Sequence, residues 1–421
     1  MISLRLLPVV AVFAGAAFAA PAFAQDVSSE AVASSEQPAV VGPAPSEPQT
    51  TATIGYLGLQ NDVRYHPQIA YTRIQISPAI QPVEGVRLGL VDAKSITDAA
   101  NVQLSLDEQQ AADANDAIAR LQAMAAAGVR FAVVDLPGDI LAQVAPAVAD
   151  TRITLINATA PQDALRELCL PNLFHAAASD RMIGDAYGQF LRHRNWLRVL
   201  MLVGDQPRDA EMADAFQASA ERLAIQIVAR KQFTLSTNPA DRENHDTLLI
   251  TGGMDYDVVY VADSLGEYSR ALNYATLLPR PVIGSTGLTA AEWHWSWDQD
   301  SATQVTLRFQ RASEGNRVMS GADWDAWMAV RAIATAYAKA RSSDPEKIDA
   351  YLRGKRLFLD GSKGVRMDFR PWDRQLRMTI ALATSNAVIG VAPFAEFLHQ
   401  HNDLDTLGVD QPESKCPVAQ Q

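Results

Sequence analysis

The stretch of sequence from residue 129 to residue 161 reads VRFAVVDLPGDILAQVAPAVADTRITLINATAP. Two apolar runs, at residues 129–135 and 153–156, flank a segment with helical character at residues 140–149. Short apolar runs of this kind are typical of buried strands, and a helix is the usual connection between neighbouring parallel strands. The stretch therefore predicts a β-α-β unit, and with it the α/β fold class.

The same alternation of strands and helices extends over most of the chain. Before this stretch, the patterns predict strands at residues 53–59 and 86–91 and a helix at residues 106–127. After it, they predict strands at residues 197–203, 225–230, 258–262 and 282–285, with helices at residues 182–193, 210–223 and 268–275. Such alternation predicts parallel sheets that are covered by helices on both faces. Residues 323–340 and 346–352 are predicted to be helices, and residues 365–369 and 376–383 an antiparallel pair of strands.

The N-terminal 24 residues have the three parts of a secretory signal peptide. Arg5 supplies the positive charge, residues 6–20 the apolar core, and Ala22-Phe23-Ala24 the small residues before a cleavage site. Residues 25–50 are rich in Ser, Pro, Ala and Glu and contain no aromatic residue, a composition that predicts a disordered linker. We therefore expect a soluble protein of the periplasm, with no segment inserted in the membrane.

Net charge narrows the classes of partner that the protein can bind. The chain has 36 basic and 48 acidic residues, and loss of Arg5 with the signal peptide leaves 35 against 48, a net charge of −13. This acidic surplus argues against nucleic acid and anionic lipid surfaces as partners.

The two cysteines, Cys169 and Cys416, favour a disulfide in an oxidising compartment, and the alternative is two unpaired thiols.

The loops at the ends of the predicted strands are the candidate ligand-binding site, because ligands bind beyond the carboxyl ends of the strands in open parallel sheets. These loops lie at residues 136–139, 157–161, 205–209, 263–265 and 285–289. The first two loops fall in the N-terminal half of the chain and the other three beyond residue 180, so the site is predicted to lie in a cleft between two lobes. The candidate ligand-binding residues in these loops are Pro137, Gly138, Asn157, Thr159, Gln206, Ser264 and Thr286.

Tryptophans are concentrated in two segments. On a strand at residues 292–298 (EWHWSWD), Trp293, Trp295 and Trp297 would lie on one face. They could form an aromatic platform for a flat ligand, with Trp295 and Trp297 as candidate contacts, or they could fill a lobe interface or hinge; the pattern favours neither. Trp324 and Trp327 lie three apart on the apolar face of a predicted helix, which indicates core packing.

No enzyme signature accompanies these features. The sequence lacks a G-x-G-x-x-G after the first strand, a P-loop, an H-E-x-x-H and a G-x-S-x-G, and its seven histidines are scattered. His399 and His401 lack carboxylate or thiol support at metal-binding spacing and are predicted to lie in a polar surface loop. The chain is therefore predicted to be neither an enzyme nor a metalloprotein, and to carry no resident cofactor. A solvated face is predicted for Arg366, Arg370, Arg374 and Arg377.

Several longer segments resemble one known group of proteins. They are residues 172–175 (NLFH), 292–298 (EWHWSWD), 321–333 (GADWDAWMAVRAI), 360–376 (DGSKGVRMDFRPWDRQL) and 397–416 (FLHQHNDLDTLGVDQPESKC). On these residues the chain is similar to the type I periplasmic binding proteins of branched-chain amino acid ABC importers. Among them it resembles the branch associated with pyrroloquinoline quinone-dependent alcohol dehydrogenase systems. The chain departs from that pattern at residues 91–97 (VDAKSIT), where relatives carry an Asn/Thr/Gly-rich stretch.

The resemblance implies two Rossmann-like lobes that are joined by three crossovers and close on a ligand in the cleft between them. Lobe 1 would comprise residues 51–180 plus about 300–355, and lobe 2 residues 181–299 plus about 356–396, followed by a C-terminal tail at residues 397–421. The resemblance also implies that the protein captures a small ligand, as a monomer, and delivers it to an ABC permease at the inner membrane.

One ligand that the resemblance implies is pyrroloquinoline quinone, a planar molecule with three carboxylates. Arg208 and Lys94 are then the candidate cations for those carboxylates, and the Lys94 amine could also add covalently to an ortho-quinone. The alternative function is an accessory or sensory binding protein of an alcohol-oxidation pathway that recognises an alcohol-derived metabolite.

Overall fold

The computed structural model describes residues 49–69, 73, 75–76, 79–236, 238–342 and 344–417. Within them, the strands in chain order are β1 (Thr50–Leu59), β2 (Gln68–Ile69), β3 (Gln75–Ile76), β4 (Val102–Ala111), β5 (Phe131–Val134), β6 (Thr154–Asn157), β7 (Leu173–His175), β8 (Arg198–Val203), β9 (Gln226–Gln232), β10 (Val258–Ala262), β11 (Val282–Gly284), β12 (Thr289–Ala291), β13 (Leu359–Asp360), β14 (Arg366–Met367), β15 (Ile380–Ala383) and β16 (Val388–Ala392). The helices are α1 (Val83–Ala99), α2 (Ala114–Ala126), α3 (Gly138–Ala147), α4 (Asp180–Arg194), α5 (Pro207–Arg222), α6 (Arg242–His245), α7 (Thr247–Ile250), α8 (Ala302–Ala312), α9 (Gly321–Ala340) and α10 (Pro345–Arg353).

Two predictions fall on the N-terminal part of the chain. The predicted signal peptide at residues 1–24 and, except for its last two residues, the predicted linker at residues 25–50 lie outside the described residues. Among the described residues, no helix combines the length and the apolarity that crossing a bilayer requires.

Five parallel strands form the first sheet, in the order β4-β1-β5-β6-β7. β5 and β6 are buried along their whole length, as their continuous apolar sequences predict for a sheet that is covered on both faces. Helices α1 and α9 cover one face, and α2 and α3 pack against the other. Trp324 and Trp327 of α9 are buried, which confirms the predicted core packing.

The predicted strand at residues 86–91 is wrong, because these residues lie inside α1. Two glycines one turn apart let α1 approach α9 closely. A Cβ on Gly85 would lie 2.1 Å from the carbonyl oxygen of Asp323, and a Cβ on Gly89 would lie 2.8 Å from the Cβ of Val330. The apolar run that suggests a strand is therefore the face of a helix packed against another helix.

The predicted helix at residues 106–127 is also wrong over its first part. Residues 102–111 form β4, a parallel strand at the edge of the sheet beside β1. Helix α2 begins only at Ala114, where the side chain of Asp113 accepts a hydrogen bond from the N–H of Asp116 and so caps the helix. Hydropathy alone does not show where the strand ends and the helix begins, whereas the capping residue marks that boundary.

Four parallel strands form the second sheet, in the order β11-β10-β8-β9. Helix α5 packs on one face, and α4 packs on α5. A separate apolar cluster that includes Leu200, Tyr256 and Val261 closes the other face. The strands predicted at residues 197–203, 225–230, 258–262 and 282–285, and the helices predicted at residues 182–193 and 210–223, are confirmed to within a few residues at each end.

A third sheet, of antiparallel strands in the order β12-β15-β16, packs on α4. The predicted pairing of residues 365–369 with residues 376–383 is wrong apart from one bridge between Phe369 and Leu376, because β14 pairs with β13 and β15 with β12 and β16. The start of the second predicted strand is instead bonded to the first sheet, because the N–H of Leu376 donates to the carbonyl of His175 in β7.

In the described residues, three segments connect the elements on the first sheet with those of the other two sheets: residues 176–179 between β7 and α4, residues 292–301 between β12 and α8, and residues 354–379 between α10 and β15, with β13 and β14 within it. We call these three connecting segments the crossovers. They are compatible with two lobes, whose boundaries stay a prediction.

The tail beyond β16 is joined to the first sheet by a disulfide between Cys169 and Cys416, which confirms the favoured pairing. The two residues are 247 positions apart, and a loop of that length contributes about 5 kcal/mol in the chain-entropy treatment of the unfolded state.

The predicted solvated arginine face is wrong at Arg370 and Arg377. Both guanidinium groups are largely buried and donate to the carboxylate of Asp405 in the tail.

Candidate ligand-binding site

A buried carboxylate lies at the carboxyl end of the first sheet. Asp135 directly follows β5 and is fully buried. Its oxygens accept hydrogen bonds from the hydroxyl groups of Tyr56 (3.1 Å), Tyr65 (2.7 Å) and Thr159 (2.9 Å). Burial, followed by the negative charge of Asp135, raises the pKa of both tyrosines, so they are donors at neutral pH. Three hydroxyl groups are thus fixed around one charge.

Arg64, in the loop after β1, connects Asp135 to a second carboxylate. Its guanidinium donates to Asp135 (2.9 Å), to both oxygens of Asp62, and to the hydroxyl of Thr159 (3.1 Å). Two carboxylates share one guanidinium, so this half of the site has a formal charge of −1. The sequence predicts only Thr159 of these residues, although the position of Asp135 directly after a buried strand is a signal for it.

The other predicted residues of this half shape the loops. The side-chain oxygen of Asn157 accepts from the N–H groups of Thr159 and Ala160, and its amide group donates to the carbonyl of Ala160 (2.7 Å). Pro137 and Gly138 begin α3, where a Cβ on Gly138 would lie 2.3 Å from the side-chain oxygen of Gln162. The structure therefore brings Pro137, Gly138, Asn157 and Thr159 to one edge of the first sheet.

Arg208 is the central charged group at the carboxyl end of the second sheet. Its guanidinium donates to both oxygens of Asp180, at the start of α4 (2.5 Å each), and to Glu211 (3.1 Å). At the start of α5, one carboxylate oxygen of Asp209 accepts the N–H of Gln206 (3.2 Å). The second oxygen of Asp209 accepts the N–H of Ser264 (2.6 Å), so the loops after β8 and β10 are bonded to each other.

The structure separates the remaining candidates. Thr286 follows β11, and its hydroxyl accepts from the side chain of Asn273 (3.3 Å). Lys94 is expected just after the predicted strand at residues 86–91, but it lies within α1, largely exposed and paired with Asp98 (2.9 Å). It is not among the strand-end loops that hold the other candidates.

Residues 292–298 form no strand, so the expectation that Trp293, Trp295 and Trp297 share one face of a strand is wrong. Trp293 and Trp297 are buried and stack with their ring centroids 6.0 Å apart, and Trp293 also stacks on Trp324 (6.1 Å). These two rings therefore pack in the core with Trp324. Trp295 is 42% exposed beside His294 and stays a predicted ligand contact.

A cavity of about 210 Å³ lies between the starts of α4 and α5, β10 and the segment after β11. Its charged groups are those of Asp180, Arg208 and Glu292, and its walls are completed by Pro161, Ile183, Gly184, Tyr187, Met212, Tyr260, Gly284 and Ala290. The hydroxyl groups of Tyr187 and Tyr260 already donate to backbone carbonyls. Two carboxylates and one guanidinium therefore dominate the chemistry of the cavity.

Larger open grooves lie along the tail, with volumes of about 1230 and 720 Å³. They are lined by residues 353–379 and 393–412 rather than by strand-end loops. His399 in the first groove bonds Asp410 (3.1 Å), and in the described part of the chain no group of three His, Cys, Asp or Glu residues could hold a metal ion.

Glu292 connects the cavity to the first crossover. One of its oxygens accepts the N–H of Ala178, in the first crossover (3.2 Å), and burial raises the pKa of its carboxyl group against the effect of the nearby Lys363 amine. Lys363 is itself buried, donates to the carbonyl of Thr379 (2.9 Å) and lies 3.7 Å from the ring centroid of Trp324. Burial lowers the pKa of Lys363 to about 7, while the carboxylates of Asp325 and Glu292 act in the opposite direction.

Comparison with known proteins bears on the fold. The family model described as "Periplasmic binding protein" matches residues 83–262. No curated protein matches the sequence. Among solved structures, the chain is similar to an ABC transporter substrate-binding protein from Sphaerobacter thermophilus, with a TM-score of 0.64, 16% identity, and coverage of 82% of this chain and 98% of that one.

Two further structures belong to branched-chain amino acid systems. The periplasmic ligand-binding protein of a branched chain amino acid ABC transporter from Burkholderia xenovorans LB400 gives a TM-score of 0.63 and 14% identity, over 81% of this chain and 95% of that one. The branched-chain amino acid transporter substrate binding protein from Streptococcus pneumoniae, solved in complex with isoleucine, gives a TM-score of 0.58 and 17% identity, over 81% and 99%.

The proteins that share this architecture are named as solute-binding proteins of transporters rather than as enzymes. Because their sequence identity to this chain is low, the structural similarity establishes the shared fold alone. The parallel sheets, the three crossovers and the matched family segment lead to one conclusion: the chain has the fold of the type I periplasmic binding proteins.

Proposed function

We propose that this chain is the periplasmic solute-binding protein of an ABC importer, which closes its two lobes on a small ligand and presents it to a permease at the inner membrane. The observation that carries the proposal is the cavity that Pro161 of the first sheet's loops shares with Arg208 and Glu292. A cavity at the carboxyl ends of parallel strands is where this class of sheet binds ligands. The matched family segment and the solved structures support the same function.

One exposed contact between the two halves of the site is suited to opening and closing. The side chain of Gln162, in a loop of the first sheet, donates to Glu211 of α5 (3.3 Å). This contact is exposed, and exposed polar pairs contribute at most about 1 kcal/mol. A ligand that bridges the halves with several hydrogen bonds can therefore shift the balance between open and closed forms.

The charges of the site support a ligand that carries both an amine and a carboxylate. Arg64 is shared by two aspartates, and Arg208 lies between Asp180 and Glu211, with Glu292 in the same cavity. A zwitterion can pair its ammonium with a carboxylate and its own carboxylate with a guanidinium. The cavity of about 210 Å³ is smaller than the roughly 300–1,000 Å³ of sites for drug-sized ligands. An amino acid fits both requirements.

Pyrroloquinoline quinone is the second candidate ligand. The exposed ring of Trp295 favours it, because a flat ligand can stack there. Its three carboxylates, however, would meet a site with more carboxylates than cations, from which Lys94 is absent. We therefore place an amino acid first. An accessory or sensory protein of alcohol oxidation would use the same cleft, but a partner other than a permease would recognise its closed form.

The test is a calorimetric titration of the exported protein with isoleucine, leucine, pyrroloquinoline quinone and acetate. We expect saturable binding of an amino acid at one site per chain. Arg208→Gln should weaken it about tenfold to a hundredfold, because a hydrogen bond to a charged group contributes about 1.5–3 kcal/mol. Lys94→Met, on the surface of α1, should bind like the wild type.

The other outcomes are equally decisive. Binding of the quinone alone would replace the amino acid by the second candidate. Binding of acetate alone would favour the accessory role in alcohol oxidation. Absence of binding to all four compounds would contradict the ligand class. Equal binding by wild type and Arg208→Gln would remove the cavity as the site.

A further inference from the structure

We propose that the disulfide-bonded tail is a strap between the two lobes that limits how far the cleft can open. We define the strap as residues 403–416. The proposal shares with the proposed function the assumption that the lobes move relative to each other, and it requires no particular ligand. It combines three sets of contacts, on the second sheet's helices, on the third crossover and on the first sheet.

The strap is anchored first on the helices that cover the second sheet. The N–H of Gly408 donates to the carboxylate of Asp185 in α4 (2.7 Å). The guanidinium of Arg222, at the end of α5, donates to the carbonyl of Thr406 (3.0 Å) and pairs with the same Asp185 (2.6 Å). Asp185 is fully buried, so this anchor is part of the core and not a surface contact.

The second anchor lies on the third crossover. Arg370 and Arg377 both donate to Asp405 (2.8 Å each), and all three side chains are largely buried. The indole N–H of Trp372 donates to the carbonyl of Val409 (3.0 Å). Separating a buried pair of this kind leaves an uncompensated charge, which makes the anchor resistant to pulling.

The far end of the strap is attached covalently to the first sheet. Cys416 is bonded to Cys169, which directly follows a 3₁₀ turn at Asp163–Leu168 between β6 and β7. The amine of Lys415 also pairs with Glu167 in that turn (2.8 Å), but this pair is exposed and contributes little. The disulfide therefore completes a connection from α4 and α5, past the third crossover, to the first sheet.

The length of the strap sets the limit on opening. From Gly408 to Cys416 there are eight residue steps (416 − 408), which reach roughly 26–29 Å when fully extended. The strap is partly coiled, because Gln411–Glu413 forms a 3₁₀ turn capped by Asp410. Unwinding this turn alone, from about 2.0 Å to about 3.4 Å per residue, releases about 4 Å, and the fully extended length sets the limit. Opening the cleft further must break the buried anchors. Without the disulfide, the strap is no longer attached to the first sheet and sets no such limit.

The test compares the ligand-free, exported protein with its Cys169→Ser/Cys416→Ser variant by small-angle X-ray scattering. We expect the variant to have a larger radius of gyration and a broader distribution of interatomic distances, because the open form is no longer limited. An unchanged radius of gyration in the folded variant would overturn the proposal.

A second pair of samples separates the strap from the stability that the disulfide supplies. A recognition sequence for a site-specific protease replaces residues 411–415, and the folded protein is measured uncut and cut. The disulfide is intact in both, so only continuity of the strap differs. Expansion on cutting supports the proposal, and equal curves refute it. Neither comparison uses a ligand, so failure of the titrations above would leave this result interpretable.

Discussion

Replacement of Lys363 by methionine should remove a pH-dependent cost from the stability of the folded protein. The amine is buried, with its hydrogen bond to the Thr379 carbonyl and its position over the ring of Trp324. Burial lowers its pKa from the usual 10.5 to about 7. Methionine has a similar length and no charge, so it keeps most of the packing and removes the titration.

The sign and size of the effect follow from proton binding in the two states. Between pH 7 and pH 9, the unfolded chain keeps the proton on Lys363 and the folded chain releases it. The unfolded state therefore binds more protons in this window, and the free energy of unfolding rises with pH. A shift from 10.5 to about 7 corresponds to a gain of about 2 kcal/mol over these two pH units. Below pH 7 both states are protonated, and the cost is constant.

The measurement is urea unfolding at pH 6, 7, 8 and 9, followed by tryptophan fluorescence. Glu292 and Asp325 face the amine, and burial raises the pKa of both carboxyl groups, so their titration acts in the opposite direction. The quantity to compare is therefore the wild type minus the Lys363→Met variant. We expect this difference to move by up to about 2 kcal/mol in favour of the wild type from pH 7 to pH 9. Lys94→Met, an exposed lysine, is the control. A difference that is the same at all four pH values would refute the reasoning.

Three further changes test individual contacts of the fold by urea unfolding. Gly89→Val should lower the free energy of unfolding by about 1–3 kcal/mol, because the side chain meets Val330 of α9; no loss would contradict the close approach of α1 and α9. Arg370→Met should cost about 3–5 kcal/mol, because it leaves Asp405 buried without one of its cations, and it should expose the tail to proteases; Arg311→Met, on an exposed side chain of α8, should do neither. Tyr187→Phe should cost about 1–3 kcal/mol, because its hydroxyl donates to Gly284 and accepts from Ala290, and the fully exposed Tyr274→Phe is its control; equal stability of these two variants would contradict the assigned hydrogen bonds.

Hydropathy predicts the central strands of both sheets because each of them is buried on both faces and bounded by polar loops. Residues 258–262 show this most clearly, since the predicted strand and β10 have the same bounds. The same reasoning fails at α1, where residues 86–91 also form an apolar run. There the burial comes from α9, which lies far away in the sequence, and the four-residue spacing of Gly85 and Gly89 becomes informative only once that partner helix is known.

The candidate site divides in the same way between local and distant signals. The rule for parallel sheets places Thr159, Gln206 and Arg208 at the strand ends, and the structure has them there. The carboxylates that define the charge of the site, Asp180 and Glu292, lie outside the predicted loops. Their importance depends on the fold, which brings the start of α4 and the second crossover to one cavity.

The loop that would face a ligand and the hinge that would respond to it share one buried side chain. Arg166 is fully enclosed, and burial lowers its pKa while nearby carboxylates oppose that shift. Its guanidinium donates to the carbonyls of Ala160 and Gln162 in the loop after β6, to Ala177 in the first crossover, and to the side chain of Gln375 in the third. Glu292 of the second crossover accepts the N–H of Ala178, next to Ala177. In the proposed closure, movement of this loop would therefore be transmitted through Arg166 to the first and third crossovers. Closure of the cleft and rotation at the hinge are therefore expected to be a single event in this protein.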